Sequence, residues 1–150
     1  CKTQKNRKEL LMFRTKFAVR YSETDQMGVV HHSRYFPWFE AARTDFFQAS
    51  GYSYAQVEKD GVLLPLVDCY CKFLTGAQYG DDVIIEIALT KVGVAKCVFE
   101  YRVLRGKDEM LLATGYTTHG FTDHDFRPLN IKKVNPEVYQ KLLQMKEADA

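Results

Sequence analysis

The segment from Tyr35 to Ala49 leaves the fewest options for the fold. Tyr35, Trp38, Phe39, Ala42 and Phe46 recur at helical spacing, and Phe36 and Phe47 widen the apolar stripe. Glu40, Arg43, Thr44, Asp45 and Gln48 are the polar minority. A helix this apolar is buried over much of its circumference and needs a curved surface wrapped around it. Pro37 fits only in the first turn, where its missing N–H costs little. Gly51 supplies a plausible stop.

The flanking segments supply that surface. Phe13, Phe17, Val19 and Tyr21 alternate with Arg14, Lys16, Ala18 and Arg20, which predicts a half-buried strand running to Tyr21. After the helix, residues 53–60 read as a short second helix capped by Ser53 and closed by Gly61. Four strands are expected next. Residues 62–73 are mostly apolar, with Pro65 suggesting an edge or bulge. Val83, Ile85, Ile87 and Leu89 alternate cleanly, as do Cys97, Phe99, Tyr101 and Val103, and a turn over 105–108 leads into 110–121. Asn135 and Pro136 then open a terminal helix as cap and first residue. One strand, a buried helix and four consecutive strands joined by short turns predict an α+β domain with an antiparallel five-stranded sheet.

The 150-residue chain has an apolar fraction of 46%, a charged fraction of 27% and a net charge of +2, ordinary globular values that point to no nucleic-acid partner. No apolar run reaches the roughly eighteen residues of a membrane span, and the first residues lack the apolar stretch of a signal peptide. A cytoplasmic location is expected. Residues 1–11, with Lys2, Lys5, Arg7 and Lys8, read as a flexible basic extension before a single domain at 12–150. Cys69 and Cys71 are too sparse for a zinc motif; with Cys1 and Cys97 they are expected to be buried free thiols.

Chemistry concentrates between Tyr21 and Tyr35. Asp25 lies between a strand-like segment and Val29-Val30, just before a helix whose first N–H groups are free to polarise a carbonyl. A carboxylate there can attack an acyl carbon or deprotonate water. The structural alternative is an Asx-type loop residue or an N-cap. Gly28 either lets backbone approach a substrate or makes a sharp turn. His31 and His32 are adjacent, and neighbours on a helix or strand face different ways, so a concerted pair is not expected.

Tyr21, Thr24, Asp25, Gly28, Val29, Val30, His32 and Tyr35, followed by residues 39–44 (Phe-Glu-Ala-Ala-Arg-Thr), closely resemble the signature of the 4-hydroxybenzoyl-CoA thioesterase family. That pattern reads Tyr-x-Asp-Thr-Asp-x-x-Gly-Val-Val-Tyr-His-x-x-Tyr. Glu23 replaces its first Asp, and His31 its usual aromatic. The resemblance implies a hot-dog fold, a curved antiparallel sheet around one long central helix, and cofactor-free hydrolysis of an acyl-CoA or acyl-carrier-protein thioester. It implies Asp25 as nucleophile or general base and the amide at His32 as oxyanion donor. Gly28, Val30, His31 and Tyr35 would then meet substrate, although Tyr35 equally suits a core stripe. A homodimer or homotetramer with sheets joined edge to edge is also implied.

Other residues offer alternatives. Glu40 is a reserve base and an ion-pair partner for Arg43, three residues on. His119 shares a strand face with Ala113, Gly115 and Thr117, small residues suited to close packing, and reads as a structural histidine. Asp68 marks either a pocket wall or a paired core charge. Lys91, Lys96, Arg102, Arg127, Lys132 and Lys133 are candidates for the phosphates of coenzyme A. No phosphate loop, metal-ligand spacing or Gly-x-Ser-x-Gly elbow occurs. The competing functions are a hot-dog dehydratase or hydratase using His31 or His32, and a non-catalytic acyl-binding protein.

Overall fold

The computed structural model describes residues 13–148. The strands are β1 (Phe13–Ala18), β2 (Leu66–Phe73), β3 (Asp82–Val92), β4 (Lys96–Arg105) and β5 (Leu111–Gly120). The helices are α1 (Tyr35–Ala49), α2 (Tyr54–Lys59), α3 (Ile131–Val134) and α4 (Pro136–Ala148). Two 3-10 turns, Tyr21–Glu23 and His32–Arg34, lie between β1 and α1. The strands form one antiparallel sheet in the order β1-β3-β4-β5-β2.

Pattern explains the central strands. Val83, Ile85, Ile87 and Leu89 of β3 and Cys97, Phe99, Tyr101 and Val103 of β4 are all buried on the face that receives α1. Phe39 stacks on Tyr101, with ring centroids 4.2 Å apart and planes 12° apart, while Phe46 and Phe47 both meet Phe99. Irregularities at Leu89/Lys91 and Val103/Leu104 add local bend and twist, which lets the sheet curve round the helix. Elsewhere on β3, Glu86 is fully buried between Arg14 of β1, at 2.9 Å, and Arg102 of β4, at 3.1 Å, its direct cross-strand neighbours.

Local signals placed the helix ends. Pro37 lies in the first turn of α1, the Ser53 hydroxyl accepts the Gln56 N–H at the start of α2, and Pro136 opens α4. The short α3, capped by Asn130, has no counterpart in the sequence reading.

Long-range placement departs from that reading in four ways. Strand β1 stops at Ala18, and Tyr21, expected inside it, turns outward to 77% exposure. The cause is the 3-10 turn that Glu23 closes by accepting the Arg20 N–H. Strand β2 begins at Leu66 rather than at 62, because Leu63 diverts to bridge Thr122. The four later strands are not all joined by short turns: β2 pairs with β5 at the far edge, and residues 74–81 carry the chain back past the signature loop to β3. As an edge strand β2 is exposed, so Asp68 is a surface residue rather than a paired core charge.

The cysteines divide likewise. Cys97 is buried, and burial pushes its thiol up to about 12; Cys71 is partly buried and pushed up to about 11. Cys69 is exposed, contrary to expectation. Cys1 and the basic run at 1–11 lie outside the described residues. Among those described, no helix is long and apolar enough to cross a membrane.

Candidate active site

The signature loop is a small hairpin. Thr24 bridges Val30, the Asp25 N–H donates to the Val29 carbonyl at 2.9 Å, and the Gly28 N–H donates back to the Asp25 carbonyl at 3.0 Å. Gly28 has φ +78°, and a Cβ there would meet nothing within 4 Å. Its glycine serves the left-handed turn and not a close approach within the chain.

Asp25 is half-buried, and its Oδ1 accepts the Met27 N–H at 2.8 Å. That is the Asx geometry of the structural alternative. Oδ2 accepts no hydrogen bond from the described residues, so the turn fixes one carboxylate oxygen and leaves the other available. Val29 bridges Gln78, and the Val30 N–H donates to the Ala77 carbonyl at 2.8 Å, which anchors the hairpin to the segment before β3. Val30 is buried.

His31 caps, and His32 opens, the 3-10 turn that enters α1. His31 Nδ1 accepts the Ser33 N–H at 3.2 Å and lies 2.8 Å from the Ser33 hydroxyl, so the ring is an N-cap with its Nδ1 lone pair engaged. The Arg34 N–H goes to the His31 carbonyl, while the His32 N–H finds no acceptor among the described residues. That free amide, at the exposed start of a turn leading into a 15-residue helix, has the chemistry of an oxyanion donor. The two rings lie 4.1 Å apart and 34° from parallel. The expectation that they diverge fails because His31 is an extended cap and His32 the first residue of the 3-10 turn, so the two follow no common helical or strand periodicity. His32 also meets Phe73, at the end of the edge strand, with centroids 6.4 Å apart.

Tyr35 is a core residue, 2% exposed, packed between Trp38 and Phe73 with its hydroxyl on the Ala77 backbone; burial raises its phenol. The structure therefore brings Asp25, Gly28, His31 and His32 together on one exposed loop and withdraws Val30 and Tyr35 beneath it.

Residues outside the loop separate. Arg43 donates to the Tyr101 hydroxyl at 3.0 Å instead of pairing with the exposed Glu40. Tyr101 Oη lies 2.7 Å from Thr117 Oγ1, Thr117 Oγ1 lies 2.9 Å from His119 Nε2, and His119 Nδ1 lies 3.0 Å from the Leu64 carbonyl. His119 is thus a satisfied core histidine, and burial first and the Arg43 charge second lower it to about 4. Among the phosphate candidates, Arg102 is engaged with Glu86. No group of His, Cys, Asp and Glu among the described residues could hold a metal ion.

One residue of the loop carries more than its sequence suggested. Glu23, noted only as a departure from the family pattern, is 5% exposed. Its Oε1 accepts the Arg20 N–H at 2.8 Å and its Oε2 accepts the Trp38 indole N–H at 3.0 Å. An acidic residue three positions after Arg20 was the available signal for the first contact; nothing local announced the second.

A family model of the thioesterase-like superfamily matches residues 19–142. The chain is 30% identical over 119 residues to a Bacillus subtilis protein provisionally named acyl-CoA thioesterase YneP, covering 79% of this chain and 86% of that one. It is also similar to the solved DHNA-CoA thioesterase of Staphylococcus aureus, with TM-score 0.81, 30% identity and coverage of 89% and 90%. The hypothetical protein TT1821 of Thermus thermophilus superposes with TM-score 0.79 at 38% identity, covering 88% of this chain and 98% of that one.

Proposed function

This chain belongs to the thioesterase-like superfamily and has its hot-dog fold, and from that premise we propose that it hydrolyses an acyl-CoA thioester to a carboxylic acid and coenzyme A. The observation that carries the assignment of roles is the Asp25 carboxylate, held through Oδ1 with Oδ2 available, on the same loop as the free His32 N–H. Oδ2 either removes a proton from water as its oxygen adds to the thioester carbon, or adds directly to give a mixed anhydride. In the first case a tetrahedral oxyanion forms at the His32 amide, the C–S bond breaks, and the thiolate takes up a proton. In the second the thiolate leaves first, and water then opens the anhydride.

Gly28 shapes the turn, the His31 cap orients the amide, and Val30 and Tyr35 form the floor on which the loop rests. The site borders β2, whose outer edge is unpaired among the described residues and whose Leu66, Val67, Tyr70 and Phe73 are exposed. Such an edge invites pairing. A homodimer joined through β2 would cover it and bring the partner chain beside the Asp25 loop, because Phe73 already touches His32.

The test is thiol release from a panel of aromatic, short-chain and long-chain acyl-CoAs, comparing native protein with Asp25→Asn. A loss of at least about a hundredfold in the variant is expected. Equal rates would remove Asp25 from the mechanism. A single turnover in ¹⁸O-water that leaves ¹⁸O in the Asp25 carboxylate identifies the anhydride route opened at the Asp25 carbon, whereas trapping of the acyl-enzyme by hydroxylamine reports an anhydride opened at the acyl carbon, and neither signal is expected from general-base attack.

A further inference from the structure

Glu23 ties down the loop at three points. Its carboxylate takes the Arg20 N–H at the loop's entry and the Trp38 indole N–H on the first turn of α1. Its backbone carbonyl takes the His31 N–H at 2.9 Å, at the loop's exit. Asp25 lies between entry and exit, and the free His32 amide immediately follows the exit. One buried residue therefore fixes both ends of the hairpin and the helix that follows the amide.

The chemistry of the contacts calls for a carboxylate. Both partners are N–H donors, one to each oxygen, and a carboxylate offers two acceptors. A glutamine of the same size would turn its NH₂ toward one of the donors and leave that contact unmade. The Arg20 guanidinium is not the reason for the charge: its Nε stands 3.7 Å away on a side chain that is 75% exposed.

We propose that Glu23 is the positioning residue of this site, holding the Asp25 carboxylate and the His32 amide in register with each other through its joint grip on Arg20, His31 and Trp38. The inference rests on the roles proposed above for Asp25 and His32. Misplacement by about 1 Å of groups acting on one reacting carbon can cost up to about a hundredfold in rate, so the effect should appear in kcat rather than in KM.

Trp38 is the only tryptophan in the chain, so its emission reports directly on the contact. The experiment compares the native protein, Glu23→Gln, Trp38→Phe and the double variant, using the best acyl-CoA of the panel, with each preparation's folded fraction measured by circular dichroism. Trp38→Phe deletes the donor and keeps an aromatic ring, although a smaller one, so it serves if Glu23→Gln folds poorly. The expected result is a drop in kcat of about tenfold or more in each single variant, with KM changed by less than about threefold. The double variant should be no slower than the worse single one, and the Trp38 emission should shift in Glu23→Gln. Glu23→Gln added to Asp25→Asn should cost little more.

Normal kcat per folded molecule in Glu23→Gln, whatever the loss in Tm, overturns the proposal, as does normal kcat in Trp38→Phe where Glu23→Gln does not fold, or full additivity of the two. The outcomes stay distinct from failure of the Asp25 reading. An active Asp25→Asn with an impaired Glu23→Gln removes Asp25 and retains Glu23 as the support of the His32 amide. An inactive Asp25→Asn with an unimpaired Glu23→Gln does the reverse.

Discussion

Gly115 of β5 lies directly under Phe39 of α1. A Cβ at Gly115 would stand 2.8 Å from Phe39 Cε2 and 2.5 Å from the Tyr70 carbonyl oxygen on the adjoining strand. The helix sits this close to the sheet because β5 presents a hydrogen atom there. Gly115→Ala should therefore lower stability by about 1–3 kcal/mol, since the Tyr70 backbone cannot move without disturbing its own pairing. Urea unfolding of native and variant protein measures it; an unchanged midpoint would mean that the helix can shift freely.

Gly28 makes the opposite case, with open space and a constrained backbone. At φ +78° with nothing nearby, Gly28→Ala pays only for the left-handed conformation, about 1–2 kcal/mol, and Gly28→Asn should cost less. If both variants lose stability equally, a contact and not the torsion is responsible.

The buried chain from Arg43 to the Leu64 carbonyl runs in one direction. The Leu64 carbonyl can only accept, so the neutral His119 ring donates from Nδ1–H and accepts at Nε2; Thr117 therefore donates to His119, Tyr101 donates to Thr117, and Arg43 donates to Tyr101. Thr117→Val keeps the shape but strands the Tyr101 hydroxyl and the His119 ring nitrogen. A loss of about 2–4 kcal/mol is expected, and a fully stable variant would show that the hydroxyl is dispensable.

The same histidine sets a pH dependence. His119 is lowered to about 4 in the fold, against about 6.5 when unfolded, so between these values the unfolded chain binds the extra proton. Its contribution is fully present above about pH 6.5 and declines as pH falls toward 4, by about 3 kcal/mol in all. Unfolding free energies from pH 7 to 4.5 should show this slope, and His119→Gln should flatten it.

For the exposed edge of β2, Val67→Lys should convert a proposed dimer into monomer, because a buried ammonium at a pairing edge has no partner there. Light scattering coupled to size exclusion reads the mass. A native protein already monomeric at tens of micromolar would end the edge-pairing proposal.

What the sequence determined by itself is local. The apolar stripe of α1, the Ser53 cap, the Pro136 start and the alternation along β3 and β4 each follow from neighbours within a turn or two, where periodicity and capping act. The roles proposed for Asp25 and His32 likewise come from residues in one continuous stretch. Only the tertiary structure decided that β2 lies beside β5, that Cys69 and Asp68 are on the surface, and that Arg43 turns to Tyr101 instead of Glu40. It alone turned Glu23 inward to Trp38, fifteen residues away. A buried polar group takes whichever partner the packed chain brings within about 3 Å, and that partner is set by how the sheet closes over the helix, which no local spacing encodes.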